Sequence, residues 1–297
     1  MRHDVDLSGL LPRVLAIAQH AGQAIMGVYA QMQGAAHNVQ AAQLQLKGDG
    51  SPLTQADLLA HKAIATGLAQ LTPNIPVVSE EDEASLQHRL PSGNFWLIDP
   101  LDGTKEFLAC SNEFTVNIAL VQDGAATLGV VTAPALGLAY WGGAGLCAHR
   151  AQGGQTTVMQ VAAQPGTQAN TSSKPLRVVA SKSHLNDETR AYLAQLGPHQ
   201  LVQAGSSLKF CRIAEGQADV YPRLGPTCEW DTAAAQVVLE AAGGYVLQLD
   251  RTPLRYGKPN VLNPHFVAAS APQFALQPTG TGPRQASTAS TPSGLEG

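Results

Sequence analysis

Phe95-Trp96-Leu97-Ile98-Asp99-Pro100-Leu101-Asp102-Gly103-Thr104 is the stretch on which the reading of this chain turns. Four apolar residues in a row predict a buried strand. Pro100 fixes its own φ and has no N–H, so the chain must turn at once. A tight turn at a strand end can aim Asp99, Asp102 and the carbonyl of Leu101 into one small volume. These are hard oxygen donors, which suit Mg²⁺ rather than zinc. Gly103 lacks a Cβ, so a phosphate can approach the backbone there. Thr104 adds a hydroxyl able to orient a water. Metal, phosphate and water in one loop predict phosphate-ester hydrolysis.

The chain has 297 residues, enough for one large domain or two moderate ones. Charged residues make up 13%, hydrophobic residues 44%, and the net charge is −4. Lys and Arg are scattered, with no basic run of the kind that tracks a nucleic-acid polymer. Cys110, Cys147, Cys211 and Cys228 form no Cys-x-x-Cys pair, so reduced thiols and a cytoplasmic setting are expected. The first six residues are partly acidic and do not read as a signal peptide. No segment approaches the roughly 18 apolar residues of a membrane span. Peripheral attachment to the inner face of the membrane and a homodimer both stay open.

Outward from the central stretch, apolar spacing predicts a helix over 8–31 with Ser8 as N-cap, and a second over 55–71 capped by Thr54. Residues 33–45 are Gln- and Ala-rich and read as loop or frayed helix. Short strands are expected at 77–79 and 95–99. An antiparallel set follows at 115–121, 127–132 and 138–141, with Asp123-Gly124 as a hairpin turn. Residues 150–174 read as a variable hairpin or loop. Strands at 176–180, 201–204 and 218–224 alternate with helices at 186–196, 206–215 and 232–242. Three parts are therefore expected: an N-terminal α+β half (1–174), a C-terminal α/β half (175–272) and a disordered tail (273–297).

Taken alone, residues 80–83 read as a solvated acidic loop and Asp231 as a helix N-cap. Taken together, four ordered stretches resemble the magnesium-dependent, lithium-sensitive phosphatases of the inositol monophosphatase family. They are Asp49-Gly50-Ser51-Pro52-Leu53-Thr54, Ser79-Glu80-Glu81-Asp82, Trp96 through Thr104, and Glu229-Trp230-Asp231-Thr232-Ala233-Ala234. The resemblance covers about residues 10–270. Within the family, Lys105-Glu106-Phe107, Gly205-Ser206-Ser207-Leu208-Lys209-Phe210 and Ala218-Asp219-Val220-Tyr221-Pro222-Arg223 resemble the CysQ-type 3′(2′),5′-bisphosphate nucleotidases.

The resemblance implies a layered α/β sandwich, αβαβα, with the site at the junction of the halves. It implies that Glu80, Asp99, the Leu101 carbonyl, Asp102 and Asp231 hold two or three Mg²⁺ ions. Glu80 and Thr104 would orient the attacking water, and Asp49, in a mobile loop, would help bind a further metal or its water. The N–H groups of Gly103 and Thr104, with Asp102 and Asp231 beside them, would face the substrate phosphate. Lys209, Arg223 and the turn at 181–183 are candidates for a second phosphate and a nucleoside. Ser206 and Leu101 join the expected substrate-binding set; Lys209 reads equally well as a solvent-facing helix residue, and Ser206 also as a cap. The substrate expected is adenosine 3′,5′-bisphosphate, cleaved to AMP and phosphate, with 3′-phosphoadenylyl sulfate not excluded. Inositol monophosphatase, fructose-1,6-bisphosphatase and a non-catalytic phosphate-binding protein are the competing readings.

Overall fold

The computed structural model describes residues 6–34, 44–48, 52–162, 175–180 and 186–274. The expected tail beyond residue 274, and the Gln/Ala-rich segment over 35–43, lie outside them. Two helices come first, α1 (Leu7–Gly34) and, after the short strands β1 (Gln45–Leu46) and β2 (Pro52–Leu53), α2 (Gln55–Leu71). The first helix starts earlier than Ser8. Asp6 is its cap, with Oδ1 accepting the Gly9 N–H at 3.1 Å. At α2 the expected cap holds: Thr54 and Asp57 form a reciprocal capping box.

A seven-stranded sheet follows, from β3 (Val77–Ser79), β4 (Asn94–Asp102), β5 (Thr115–Gln122), β6 (Ala125–Ala133), β7 (Leu138–Gly143), β8 (His149–Gln152) and β9 (Gln155–Val158). The strands lie in sequence order, and a five-residue helix, α3 (Thr104–Leu108), leaves the end of β4. Only β3 and β4 are parallel; the rest are antiparallel hairpins. The β5–β6 turn sits at Asp123-Gly124, both with positive φ (49° and 76°), as the right-handed twist of a two-residue hairpin favours.

The second half begins with β10 (Leu176–Ala180), α4 (Asp187–Leu196), β11 (His199–Gln203), α5 (Leu208–Ala214), β12 (Val220–Arg223) and α6 (Ala233–Ala241). Sequence patterning missed the last two strands, β13 (Tyr245–Gln248) and β14 (Phe266–Ala269). They add antiparallel edges to a parallel core, giving the order β11-β10-β12-β14-β13. Each is only four residues long, and a polar segment separates them, so neither offers a periodic signal.

The core explains the contiguous apolar run at 95–98. Alternation along a strand sends Trp96 and Ile98 to one face, where α1 and α2 cover them. Phe95 and Leu97 go to the other, against α5 and α6. Both faces are dry, so no polar residue interrupts the strand. Trp96 is fully buried, and its indole N–H donates to Thr72 Oγ1 at 2.8 Å. Burying such a side chain is worth about 1.5–3 kcal/mol. The far side of α5 and α6 meets Val246, Phe266 and Ala268 of the second sheet. Tyr192 and Leu193 of α4 cover that sheet's outer face. The layers thus run helix, sheet, helix, sheet, helix, the αβαβα sandwich expected. Gly129 permits the central contact: a Cβ there would lie 2.2 Å from the Ala234 carbonyl of α6. No described helix is long and apolar enough to cross a membrane.

Candidate active site

Asp99 follows from the same alternation. It falls on the face of Phe95 and Leu97, looking at the layer that holds α6. Because β3 and β4 run parallel, their C-terminal ends lie together: Ser79 pairs with Ile98, and the Glu80 N–H donates to the Ile98 carbonyl at 3.2 Å. Glu80 and Asp99 are therefore neighbours. Asp231, just ahead of α6, completes the group from the other half. One carboxylate oxygen from each of Glu80, Asp99 and Asp231 lies within 4.8 Å of the other two. Glu80 is thus part of a carboxylate group, while Glu83 alone of 80–83 is exposed. Asp231 is not an N-cap: its Oδ2 accepts the Cys228 N–H at 2.8 Å, and Thr232 takes the cap position.

Three carboxylates this close, with little water, repel one another. Burial first, then Glu80, Asp102 and Asp231, hold Asp99 well above the usual carboxylate range. Burial and Asp102 push Asp231 up to about 8. Burial also raises Glu80. Such a set carries an excess of negative charge that Lys47, on Glu80, offsets only in part, and its donors are all hard oxygens. The residues present therefore fit a divalent cation such as Mg²⁺.

Asp102 stands beside this group. Its Oδ2 takes hydrogen bonds from Ser207 Oγ (3.0 Å), Thr115 Oγ1 (3.3 Å) and Asn117 Nδ2 (3.4 Å). Ser207 Oγ also lies 2.9 Å from the Asp231 carbonyl, so one buried hydroxyl links the two halves at the site. Thr104 Oγ1 donates to the Leu101 carbonyl at 3.4 Å, placing both at the mouth of the turn. Asp49 and the 181–183 turn lie outside the described residues.

Gly103 also meets a steric demand that the sequence did not disclose. It has φ +93°, and a Cβ there would lie 2.2 Å from Ser206 Oγ. On the side where a Cβ would project, the space is filled by Ser206. Ser206 is no helix cap either. Its Oγ sits between the carbonyls of Asp102 (2.9 Å) and Glu113 (2.8 Å), and its own φ is +46°.

Three polar side chains on or near these carboxylates escaped sequence reasoning. Lys47 spans Glu80 (2.7 Å) and Glu81 (2.8 Å). Burial works against its charge, but the two glutamates outweigh that and hold it above its usual value. Asp57 is buried, and its Oδ1 has no hydrogen-bond partner. Burial pushes Asp57 up to about 6 against the Thr54 hydrogen bonds. The Thr54-x-x-Asp57 spacing was the available signal, since it marks a capping box. Ser207 gave none.

Adjoining the carboxylates lies a pocket that sets two cations and aromatic rings against two of the aspartates. Asp102, Asp231, Lys209, Tyr221, Arg223 and Phe266 line it. Lys209 does not face open solvent. It is half-buried, with Nζ 5.6 Å from the Tyr221 ring centre, over its face. Burial pulls its pKa below the usual value, although Asp102 offsets part of this. Arg223 Nη2 donates to the Pro226 carbonyl at 2.7 Å, and its buried Nε–H has no partner. Tyr221 and Phe266 meet edge to face at 6.0 Å. An anion with a flat apolar body is the complement of such walls.

Known proteins agree with this geometry. The model of the inositol monophosphatase family matches residues 7–278. The 3′(2′),5′-bisphosphate nucleotidase CysQ of Salmonella typhimurium is 45% identical over 262 residues, 86% of this chain and 98% of that protein. The crystal structure of CysQ from Bacteroides thetaiotaomicron, described as a bacterial member of the inositol monophosphatase family, superposes with TM-score 0.74 at 35% identity, covering 90% of this chain and 100% of that one. The suhB protein of Bartonella henselae shares the fold at TM-score 0.71 and 22% identity, over 90% and 95% of the two chains. A family match over most of the chain, with two strand ends and the turn ahead of α6 bringing Glu80, Asp99 and Asp231 together, leads to one conclusion: the chain belongs to the inositol monophosphatase family.

Proposed function

We propose that the protein is a Mg²⁺-dependent phosphomonoesterase that removes the 3′-phosphate of adenosine 3′,5′-bisphosphate, giving AMP and phosphate, in the cytoplasm. The observation that carries the reading is the juxtaposition of the carboxylate triad with a pocket that holds Lys209, Arg223 and aromatic walls. The first suits the phosphate that is cleaved and the second suits another phosphate on a flat base. Similarity to proteins named as 3′(2′),5′-bisphosphate nucleotidases supports the same substrate.

Glu80, Asp99, the Leu101 carbonyl, Asp102 and Asp231 would hold two or three Mg²⁺ ions. Once bound, Mg²⁺ supplies charge neutralisation on the phosphate and makes water a nucleophile near neutral pH. Glu80 accepts the proton of the attacking water, and the Thr104 hydroxyl orients it. Asp49 would assist in holding a further metal or its water. The N–H groups of Gly103 and Thr104 hold phosphate oxygens. Lys209 and Arg223 bind the second phosphate, each offering charge-assisted hydrogen bonds. Ser206 keeps the Asp102 turn in shape. Water attacks in line and the ester oxygen leaves, with no covalent bond to the enzyme.

Phosphate release in Mg²⁺ from adenosine 3′,5′-bisphosphate, inositol 1-phosphate and fructose 1,6-bisphosphate at equal concentration tests the reading. Strong preference for the nucleotide is expected. Preference for a sugar or inositol phosphate overturns the substrate, and release from none overturns the enzyme.

A further inference from the structure

The carboxylates of the triad come from segments far apart in sequence, so something must fix their separation. Glu80 begins a segment that runs through a 3₁₀ turn, Glu83–His88, to Arg89. Asp231 ends a tight turn closed by the Asp231 N–H donating to the Cys228 carbonyl at 3.2 Å. Between these two segments lies a buried charge cluster outside the triad. Glu229, two residues before Asp231, is fully buried. Its Oε2 accepts from Arg89 Nη1 (3.2 Å) and from the Gly257 N–H (2.9 Å). Its Oε1 accepts from Lys258 Nζ (2.5 Å) and the Lys258 N–H (3.0 Å). Arg89, 9% exposed, also donates to the carbonyls of Lys258 (2.8 Å) and Pro259 (3.4 Å).

One carboxylate, two cations and two backbone donors make a network in which both Glu229 oxygens are paired, while the buried Arg89 Nε–H has no partner. Taking three charges out of water is still costly, and apolar side chains of similar volume commonly do as well for stability. What the network provides is register. The Glu229 side chain ties its turn to Arg89 and to residues 257–258. Its carbonyl meanwhile starts α6 by accepting the Ala233 N–H at 3.1 Å. Arg89 ties the segment behind Glu80 to that same turn. The rods that carry Glu80 and Asp231 are thus joined at a point behind the site.

We propose that Glu229, acting with Arg89 and Lys258, is a positioning residue that sets the distance between the Glu80 and Asp231 carboxylates and so tunes metal affinity. This inference rests on the metal-site reading above. Supporting groups behind a metal site typically change affinity by about 10- to 100-fold when lost.

The test titrates purified protein with Mn²⁺, followed by electron paramagnetic resonance, and separately measures the Mg²⁺ concentration for half-maximal activity. Glu229→Gln is expected to weaken Mn²⁺ binding about tenfold and to raise the Mg²⁺ requirement by the same factor. The kcat at saturating Mg²⁺ should fall less than threefold. Should Glu229→Gln fail to fold, Arg89→Lys decides, since it keeps the charge and loses the fork that reaches Glu229, Lys258 and Pro259 together. It should show the same Mn²⁺ weakening, and Glu229→Asp should recover part of the affinity. Mn²⁺ affinity within twofold of the parent in a folded variant of either kind overturns the proposal, even if the melting temperature drops. Absence of Mn²⁺ binding by the parent protein would instead sink the metal site itself.

Discussion

The two walls of the site respond to burial in opposite directions. On one, Asp99, Asp231 and Glu80 are held above their usual carboxylate range. On the other, Lys209 is held below the usual ammonium range. Burial is the leading cause on both sides, because low dielectric disfavours whichever form is charged. Each wall therefore lacks the counter-charge its own sign demands. A cation completes the first and an anion the second. A metal with a phosphate ester satisfies both at once, which neither wall discloses in isolation. Lys47, seated on Glu80 and Glu81, relieves only part of the acidic side.

The comparison breaks most visibly at Asp99. Asp99→Asn should lower turnover by about three orders of magnitude or more, since several kcal/mol of charge stabilisation at the phosphate is lost. In EDTA the same variant should melt no lower than the parent, because it removes a carboxylate that its neighbours repel. Near-normal turnover would remove Asp99 from the chemistry. On the cationic wall, Lys209→Ala should raise KM for adenosine 3′,5′-bisphosphate by about 10- to 100-fold, the worth of a charged hydrogen bond. KM for inositol 1-phosphate should stay within about twofold. Equal increases for both substrates would show that Lys209 does not read the second phosphate.

Protons can stand in for the metal on the acidic wall, and this sharpens the contrast. Asp231 titrates near 8 in the fold and near 3.9 when unfolded. Its raised value favours the folded state fully below the unfolded value, and that advantage is lost as pH climbs through about 8. Melting temperature in EDTA should fall between pH 5 and pH 8 by this account, and added Mg²⁺ should restore more of it at pH 8 than at pH 5. A metal-free melting curve that rises across this range would count against the repulsive triad. The smallest effect lies far from either wall. Asn186 caps α4, its Oδ1 accepting the Thr189 N–H at 2.9 Å. Asn186→Ala should cost about 1 kcal/mol of stability in denaturant titration. Its kcat/KM should stay at the parent value.

Much of this was legible before any coordinates. The apolar run at 95–98, the N-cap at Thr54 and the Asp123-Gly124 turn rest on contacts within a few residues, where spacing and side-chain chemistry dictate geometry. The ordered acidic motifs carried the family and the oxygen-rich metal site for the same reason: residue type sets donor chemistry. Other features depended on what lies opposite. Gly103 is needed because Ser206 Oγ fills the space of its Cβ, more than a hundred positions away. Asp57, a routine capping residue by pattern, is a buried carboxylate because of what packs over it. Lys209 could face water or a ligand, and the Tyr221 ring and the pocket decided. Strands β13 and β14 are too short to announce themselves and exist because a sheet edge was there to pair with. The sequence by itself determined the elements, the donor set and the family, since these follow from local propensity and residue chemistry. Only the tertiary structure decided which charges meet, which are buried and how far apart they stand, because burial and charge coupling are properties of neighbours that the chain brings together only by folding.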